Sequence, residues 1–427
     1  MLRAFVNAFK VPDLRKKILF TLFIIAIYRL GSHLPAPGID TEAAARLQGS
    51  GGSVINLLSL FSGGALTRMA VFALGIMPYI TSSIIMQLLT VVIPKLEAWQ
   101  KEGEMGHKKI TQWTRYLTVA LALMQSTGLA FLFHRGLQDQ QGNAIDLVPN
   151  WNAGRVALIV ITLTAGTALV MWLGELITAR GIGNGMSILI FAAIVSSLPG
   201  EAYAIYQQKS LVISLGLLVL GILIIVGIVA IEQGQRRIPV QYAKRVVGRK
   251  MYGGTSTYIP LKVNQAGVIP IIFASSMLYF PALVSTLVHN AKVRAFIDTH
   301  LVRPDSPVYI VLFAVLIIFF AYFYTAISFN PIEVADNMKK YGGFIPGIRP
   351  GRPTAEHLDY ILTRITLPGS LFLALVAVLP SLALATLNVN NLPFGGTTVL
   401  ITVGVALETS KQLESQLLMR HYEGFLK

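Results

Sequence analysis

The sequence predicts an all-α integral membrane protein with ten transmembrane helices, arranged as two five-helix halves of inverted topology. Three observations carry that expectation. Of 427 residues only 13% are charged while 54% are hydrophobic; apolar stretches close to the length of a membrane span recur along the whole chain; and the basic surplus, 35 Lys and Arg against 20 Asp and Glu for a net +15, falls mostly into alternate connections. A soluble protein carries about 25% charged residues, so a deficit this large means that much of the outside faces lipid. Cysteine is absent, which excludes disulfides, thiolate nucleophiles and Cys-ligated metal centres together and leaves the redox compartment open.

A helix needs about 20 mostly apolar residues to cross about 30 Å of hydrocarbon. Residues 18–34 form the weakest span, because Arg29 interrupts it; it crosses only if Arg29 snorkels to the far interface. That first apolar run lacks a convincing cleavage site and is expected to stay in the protein. The other uncharged runs are 69–94, 116–133, 156–174, 182–199, 211–231, 263–288, 308–329, 365–387 and 392–407. Lys and Arg favour cytoplasmic loops, and placing both termini inside puts most of them there. The expected organisation is a cytoplasmic segment 1–17, a first half 18–200, a second half 201–412 and a cytoplasmic tail 413–427. Five is odd, so the second half starts from the opposite side of the membrane, as in many transport proteins with inverted repeats.

Two cytoplasmic loops are long. Residues 232–262 hold Arg236, Arg237, Lys244, Arg245, Arg249, Lys250 and Lys262 against Glu232, with Tyr252-Gly-Gly-Thr255 reading as a turn between short extended pieces. Residues 330–364 contain a Gly/Pro-rich stretch, 342–353, that forbids a regular helix and sets Arg349 near a shaped tip. Their charges could simply fix topology, but topology does not explain their length.

Within the spans Arg29 and, near an end, His33 are the sole ionisable residues, whereas ion-coupled pumps and carriers need intramembrane acids or histidines. Phosphate-loop, zinc-protease and nucleophile-elbow motifs are missing, and Gly181-Ile-Gly-Asn-Gly185 reads as a tight turn between two spans. No cofactor, metal or enzymatic activity is expected. The segment 54–68, between spans 1 and 2, is moderately apolar, too short to cross, and includes Gly63-Gly64. It suits an interfacial or re-entrant piece.

Several long motifs resemble the SecY family, the large channel-forming subunits of the bacterial Sec protein translocase. They are Phe61-Ser-Gly-Gly-Ala-Leu-Thr-Arg68, Ala73-Leu-Gly-Ile-Met-Pro-Tyr-Ile80, Trp172-Leu-Gly-Glu175, Arg180-Gly-Ile-Gly-Asn-Gly185, Val263-Asn-Gln-Ala-Gly-Val-Ile-Pro270 and Phe344-Ile-Pro-Gly-Ile-Arg-Pro-Gly351. The resemblance runs from about residue 16 to about residue 423. It implies a clamshell around a central hourglass pore, closed at rest by a short plug helix over 54–68, including Asn56, Leu57, Leu60, Phe61, Gly63, Gly64, Leu66 and Arg68. It also implies a pore ring of Ile76, Ile80, Ile190, Ile272 and Ile401, and a lateral gate in which Thr81 and Gln87 of span 2 face Asn264 and Phe280 of span 7. Gln87 and Asn264 could alternatively serve only nearby backbone groups.

The basic loops then become docking sites for the motor ATPase SecA or the ribosome, through Arg236, Arg237, Arg245, Arg249 and Lys250 in one and Arg349 in the other. Small partner subunits SecE and SecG, a translocating preprotein with its signal sequence, and anionic lipids complete the expected partners, in a bacterial inner membrane. A branched apolar ring dewets against ions yet deforms around a polypeptide. A secondary transporter would need a midplane site with coupling groups, and an intramembrane protease would need paired catalytic residues; the spans offer neither.

Overall fold

The computed structural model describes residues 8–40, 62–135, 137–138, 144–145, 147–148, 151–208, 211–242, 245–247, 250–252, 256–287, 290–303, 306–387 and 396–424. Ten helices match the ten expected spans in order: Pro12–Gly31, Met77–Val92, Glu104–Arg135, Ala153–Arg180, Gly185–Gln208, Leu211–Gln233, Ile269–Leu287, Pro307–Ser328, Arg352–Leu387 and Gly396–Gly424. Among the described residues, four helices are by themselves long and apolar enough to cross a membrane: Glu104–His134, Ala153–Arg180, Pro307–Lys340 and Arg352–Leu379. The fifth, sixth and seventh contribute the shorter apolar stretches Gly185–Gly200, Leu218–Gln233 and Ile269–Leu278, and the second forms a bent pair with Pro94–Lys101. Leu218, Leu223 and Val226 of the sixth span, Val311 and Phe319 of the eighth, and Leu371 and Leu375 of the ninth are all more than half exposed. Apolar side chains directed outward from a packed helical body are what a lipid solvent selects.

Two spans begin later than the sequence suggests. The second is helical only from Met77, so residues 69–76 of the expected span are non-helical, and the seventh starts at Ile269, leaving 263–268 irregular. Each helix carries proline in its first turn, Pro78 and Pro270, where the missing N–H removes no intrahelical bond. Each is preceded, two residues upstream, by a left-handed glycine, Gly75 (φ 55°) and Gly267 (φ 61°). The incoming chain also rests on a glycine in both cases. A Cβ on Gly166 of the fourth span would lie 2.1 Å from the Val71 carbonyl, and one on Gly369 of the ninth 2.5 Å from the Val263 carbonyl. The octets Val71–Pro78 and Val263–Pro270 therefore occupy equivalent places in the two halves, giving the inverted repeat a residue-level basis.

Irregular backbone at this depth must be satisfied inside the protein. Ala36 N–H donates to the Met69 carbonyl (2.8 Å) and Val71 N–H to the Leu34 carbonyl (2.9 Å), while Ala65, Leu66, Met69, Ala70 and Phe72 are buried. On the other half Val263 N–H donates to the Gly234 carbonyl at 2.9 Å. Lipid supplies no hydrophobic drive between helices, so close approach at small residues carries much of the association.

The second span ends at a sharp corner. Ile93 is extended, and Pro94 opens the helix Pro94–Lys101 at 99° to the preceding one, because proline disfavours helical backbone in the residue before it. Trp99 of this short helix lies between the ammonium groups of Lys95 and Lys109, each 5.6 Å from its ring centre.

The two long cytoplasmic loops form one body. Gln235–Tyr242 pairs antiparallel with Ser256–Lys262, and its far edge pairs with Gly343–Phe344 of the other loop, Gln241 opposite Phe344 and Tyr242 opposite Gly343. Ile238, Val240 and Leu261 pack beneath on Met338, Ile345, Leu358 and Ile361. A smaller hairpin, Arg245–Val247 with Lys250–Tyr252, projects from the first loop.

Candidate channel, plug base and docking surface

All five isoleucines expected in the ring fall into one buried cluster, none more than 8% exposed. They reach it from four different spans. Ile76 is the residue that opens the second span, its carbonyl accepting from Tyr79 and Ile80 N–H at 3.0 and 3.1 Å; Ile80 follows one turn later on the same face. Ile190, Ile272 and Ile401 come from the fifth, seventh and tenth spans. Val268, the counterpart of Ile76 in the second octet, joins the same cluster and touches the tenth span closely, since a Cβ on Gly404 would meet its Cγ1 at 2.2 Å. The sequence reading did not single out Val268; the likeness of the two octets is the signal that finds it.

A cavity of about 480 Å³ adjoins this cluster, lined by Ile272 and by Glu232, Lys262, Asn264, Glu408 and Lys411. Asn264 was expected in the seventh span and instead sits just before its first turn. It is buried, and its amide donates to Glu232 Oε1 and to the Gly267 carbonyl. Thr81 donates to the Met77 carbonyl at 3.0 Å, and the Gln87 carbonyl accepts from Thr90 Oγ1 at 2.6 Å. The second and seventh spans do pack against one another, so the four gate positions lie on neighbouring elements; Phe280 is within the seventh helix.

Of the plug positions, Asn56, Leu57, Leu60 and Phe61 lie outside the described residues. In the described end, 62–68, Ser62 is helical and 63–68 are turns, with Gly63 and Gly64 left-handed (φ 62° and 81°). Leu66 falls in one buried cluster with Met69, with Leu129 and Phe133 of the third span, and with Ile159 and Leu163 of the fourth. Arg29, in the last turn of the first helix, is partly buried. Its Nη1 donates to the Gly63 carbonyl at 3.1 Å, so the cation that weakens the first span as a membrane segment is spent on the plug base.

A second feature missed by the sequence reading is the ion pair between Arg115 and Glu175, which joins the third and fourth spans. Arg115 Nε and Nη2 each donate to one carboxylate oxygen at 2.8 Å, and Nη1 donates to Gln112 at 3.0 Å. The pair lines a cavity of about 720 Å³ together with Tyr79, Trp172 and Asn184. Arg115 reads as one more loop cation until the helix Glu104–Arg135 is seen to begin well before the apolar run.

On the cytoplasmic body Arg236 and Arg237 are exposed, the guanidinium of Arg237 lying 4.8 Å from the Tyr258 ring centre. Arg245 and Lys250 are in the two strands of the small hairpin, and Arg249 is outside the described residues. Arg349 is exposed, its carbonyl held by Thr354 Oγ1 at 2.8 Å.

The comparisons with known proteins agree with this geometry. The SecY family model matches residues 70–410. The chain is 59% identical over 437 residues to the protein translocase subunit SecY of Streptomyces scabiei, and 54% identical over 445 residues to that of Mycobacterium bovis, each match covering all of both chains. Among solved structures it is similar to one described as the structure of a protein conducting channel (TM-score 0.63, 16% identity, 93% of this chain and 91% of the other). It is likewise similar to the yeast Ssh1 complex bound to the 80S ribosome (TM-score 0.63, 15% identity, 94% and 89%). The chain therefore belongs to the SecY family, the multi-pass, non-enzymatic protein-conducting channel subunits of the Sec translocase.

Proposed function

We propose that this chain passes unfolded secretory polypeptides through a constriction formed by Ile76, Ile80, Ile190, Ile272 and Ile401, and releases hydrophobic segments sideways between the second and seventh spans. The observation that supports the reading is that five branched apolar side chains from four helices are all buried in the main apolar cluster of the protein, alongside residues of the other spans. Such a ring presents no hydrogen bond that a passing chain must break, and it resists ions by dewetting. Thr81, Gln87, Asn264 and Phe280 are the proposed gate positions, carried on elements that pack together while the hydrogen bonds of Thr81 and Asn264 each stay on their own side of the seam. Residues 54–68 are the plug, and the units are the two halves 18–200 and 201–412 with cytoplasmic ends 1–17 and 413–427.

Energy comes from outside, from SecA or a translating ribosome docked on Arg236, Arg237, Arg245, Arg249, Lys250 and Arg349. The exposed Arg236 and Arg237 on a paired strand support that role, because phosphates and carboxylates bind arginine in fixed geometry, and one similar structure is of the yeast Ssh1 complex bound to the 80S ribosome. SecE, SecG and anionic lipids are the further partners, in a bacterial inner membrane with both termini cytoplasmic. The test is crosslinking of a stalled translocating chain to a probe at Ile80, together with ion conductance after deletion of residues 57–67. A crosslink and raised conductance are expected; the absence of both overturns the ring and the plug.

A further inference from the structure

We propose that the outer end of the first span is a latch for the plug, in which Arg29 and His33 are positioning residues for residues 62–68. The proposal rests on the plug assignment above. Two contacts make the latch. Arg29 Nη1 donates to the Gly63 carbonyl at 3.1 Å, and Arg68 Nη1 lies 2.6 Å from His33 Nε2. A guanidinium can only donate, so His33 Nε2 is the acceptor and the ring proton sits on Nδ1, which donates to the Arg29 carbonyl at 2.8 Å. The network closes on itself: one residue of the plug base is held through its carbonyl, another through its side chain, and both holders are one turn apart at the end of the same span.

The site admits little slack. Gly63 is left-handed, and a Cβ there would lie 3.0 Å from Arg29 Nη1 and 3.1 Å from Ala193 Cα of the fifth span. The plug base is therefore wedged between the first and fifth spans, with Tyr28 buried behind it.

Only a neutral imidazole completes this network. The acceptor that Arg68 needs is the bare Nε2, so a side chain without an acceptor at position 33 removes the second contact while leaving the first.

The test is resting ion conductance of the full chain, in its complex with its partner subunits, in planar bilayers. Arg29→Met is expected to raise conductance about tenfold, the population change that one charge-assisted hydrogen bond commonly controls, and Arg29→Lys to restore much of the seal. His33→Gln keeps an acceptor for Arg68 and is expected to stay sealed, whereas His33→Leu removes it and is expected to raise conductance. Deletion of residues 57–67 separates the two ideas: a leaky deletion with a tight Arg29→Met variant overturns the latch and leaves the plug standing, whereas a tight deletion overturns the plug. A His33→Leu variant as tight as His33→Gln overturns the role of His33.

Discussion

Gly166 supports the backbone at Val71: a Cβ on the glycine would stand 2.1 Å from the Val71 carbonyl oxygen, which no rotamer change can relieve. Gly369 does the same for Val263. Gly166→Ala and Gly369→Ala are each expected to lower stability by about 1–3 kcal/mol, the usual cost of overpacking a fitted contact. Gly128→Ala in the third span, where a Cβ meets nothing within 4 Å, is expected to be neutral. Thermal unfolding in detergent compares the three.

The Arg115–Glu175 pair is forked but partly open to solvent, the two side chains being 42% and 21% exposed. Arg115→Met or Glu175→Gln is expected to cost about 1 kcal/mol, in the range of partly exposed pairs. The double variant is expected to cost less than the sum, since the partners act on one interaction. Additive losses in a double-mutant cycle would show that the two residues act apart.

A single polar residue in the isoleucine cluster is expected to hydrate it. Ile401→Asn, at the least exposed position of the five, should raise resting ion leakage several-fold while Ile401→Leu leaves it low, because wetting depends on polarity more than on shape. Equal leakage from both variants would argue that fit, rather than dewetting, makes the seal.

The pairing of Gln241 with Phe344 is open to a chemical check, because the chain has no cysteine of its own. Directly opposed residues of an antiparallel pair lie about 4.5–5.5 Å apart at Cα, within reach of a disulfide. Gln241→Cys with Phe344→Cys is expected to close on mild oxidation, giving a faster-migrating band on non-reducing gels. Moving one thiol to Arg349, beyond the strand, is expected to abolish it.

Ten spans, their order and the presence of short extended pieces in the first long loop were legible in the sequence, since hydropathy at span length and short β-rich runs around glycine are local signals. The late starts of the second and seventh spans were not. Apolar composition continues smoothly through 69–76 and 263–268, and nothing local reveals that the backbone there bonds to 34–36 and Gly234 instead of to itself. The two octets share only Val, Gly and Pro at fixed positions, too little to stand out among apolar residues until their φ angles are compared. The isoleucine cluster was placed by resemblance, and periodicity alone would have put Ile76 and Ile80 in ordinary packing. The contact of Arg29 with a carbonyl from a segment 34 residues away leaves no trace in its own neighbourhood and was not legible.

The shared sheet of the two cytoplasmic loops turns them into a stiff lever. Its strand Ser256–Lys262 runs straight into Val263, whose carbonyl bears on Gly369, and the seventh span begins six residues later. A load applied at the exposed segment around Arg349 therefore reaches the foot of the seventh span through paired strands and the irregular residues 263–268, whose first carbonyl is braced on Gly369.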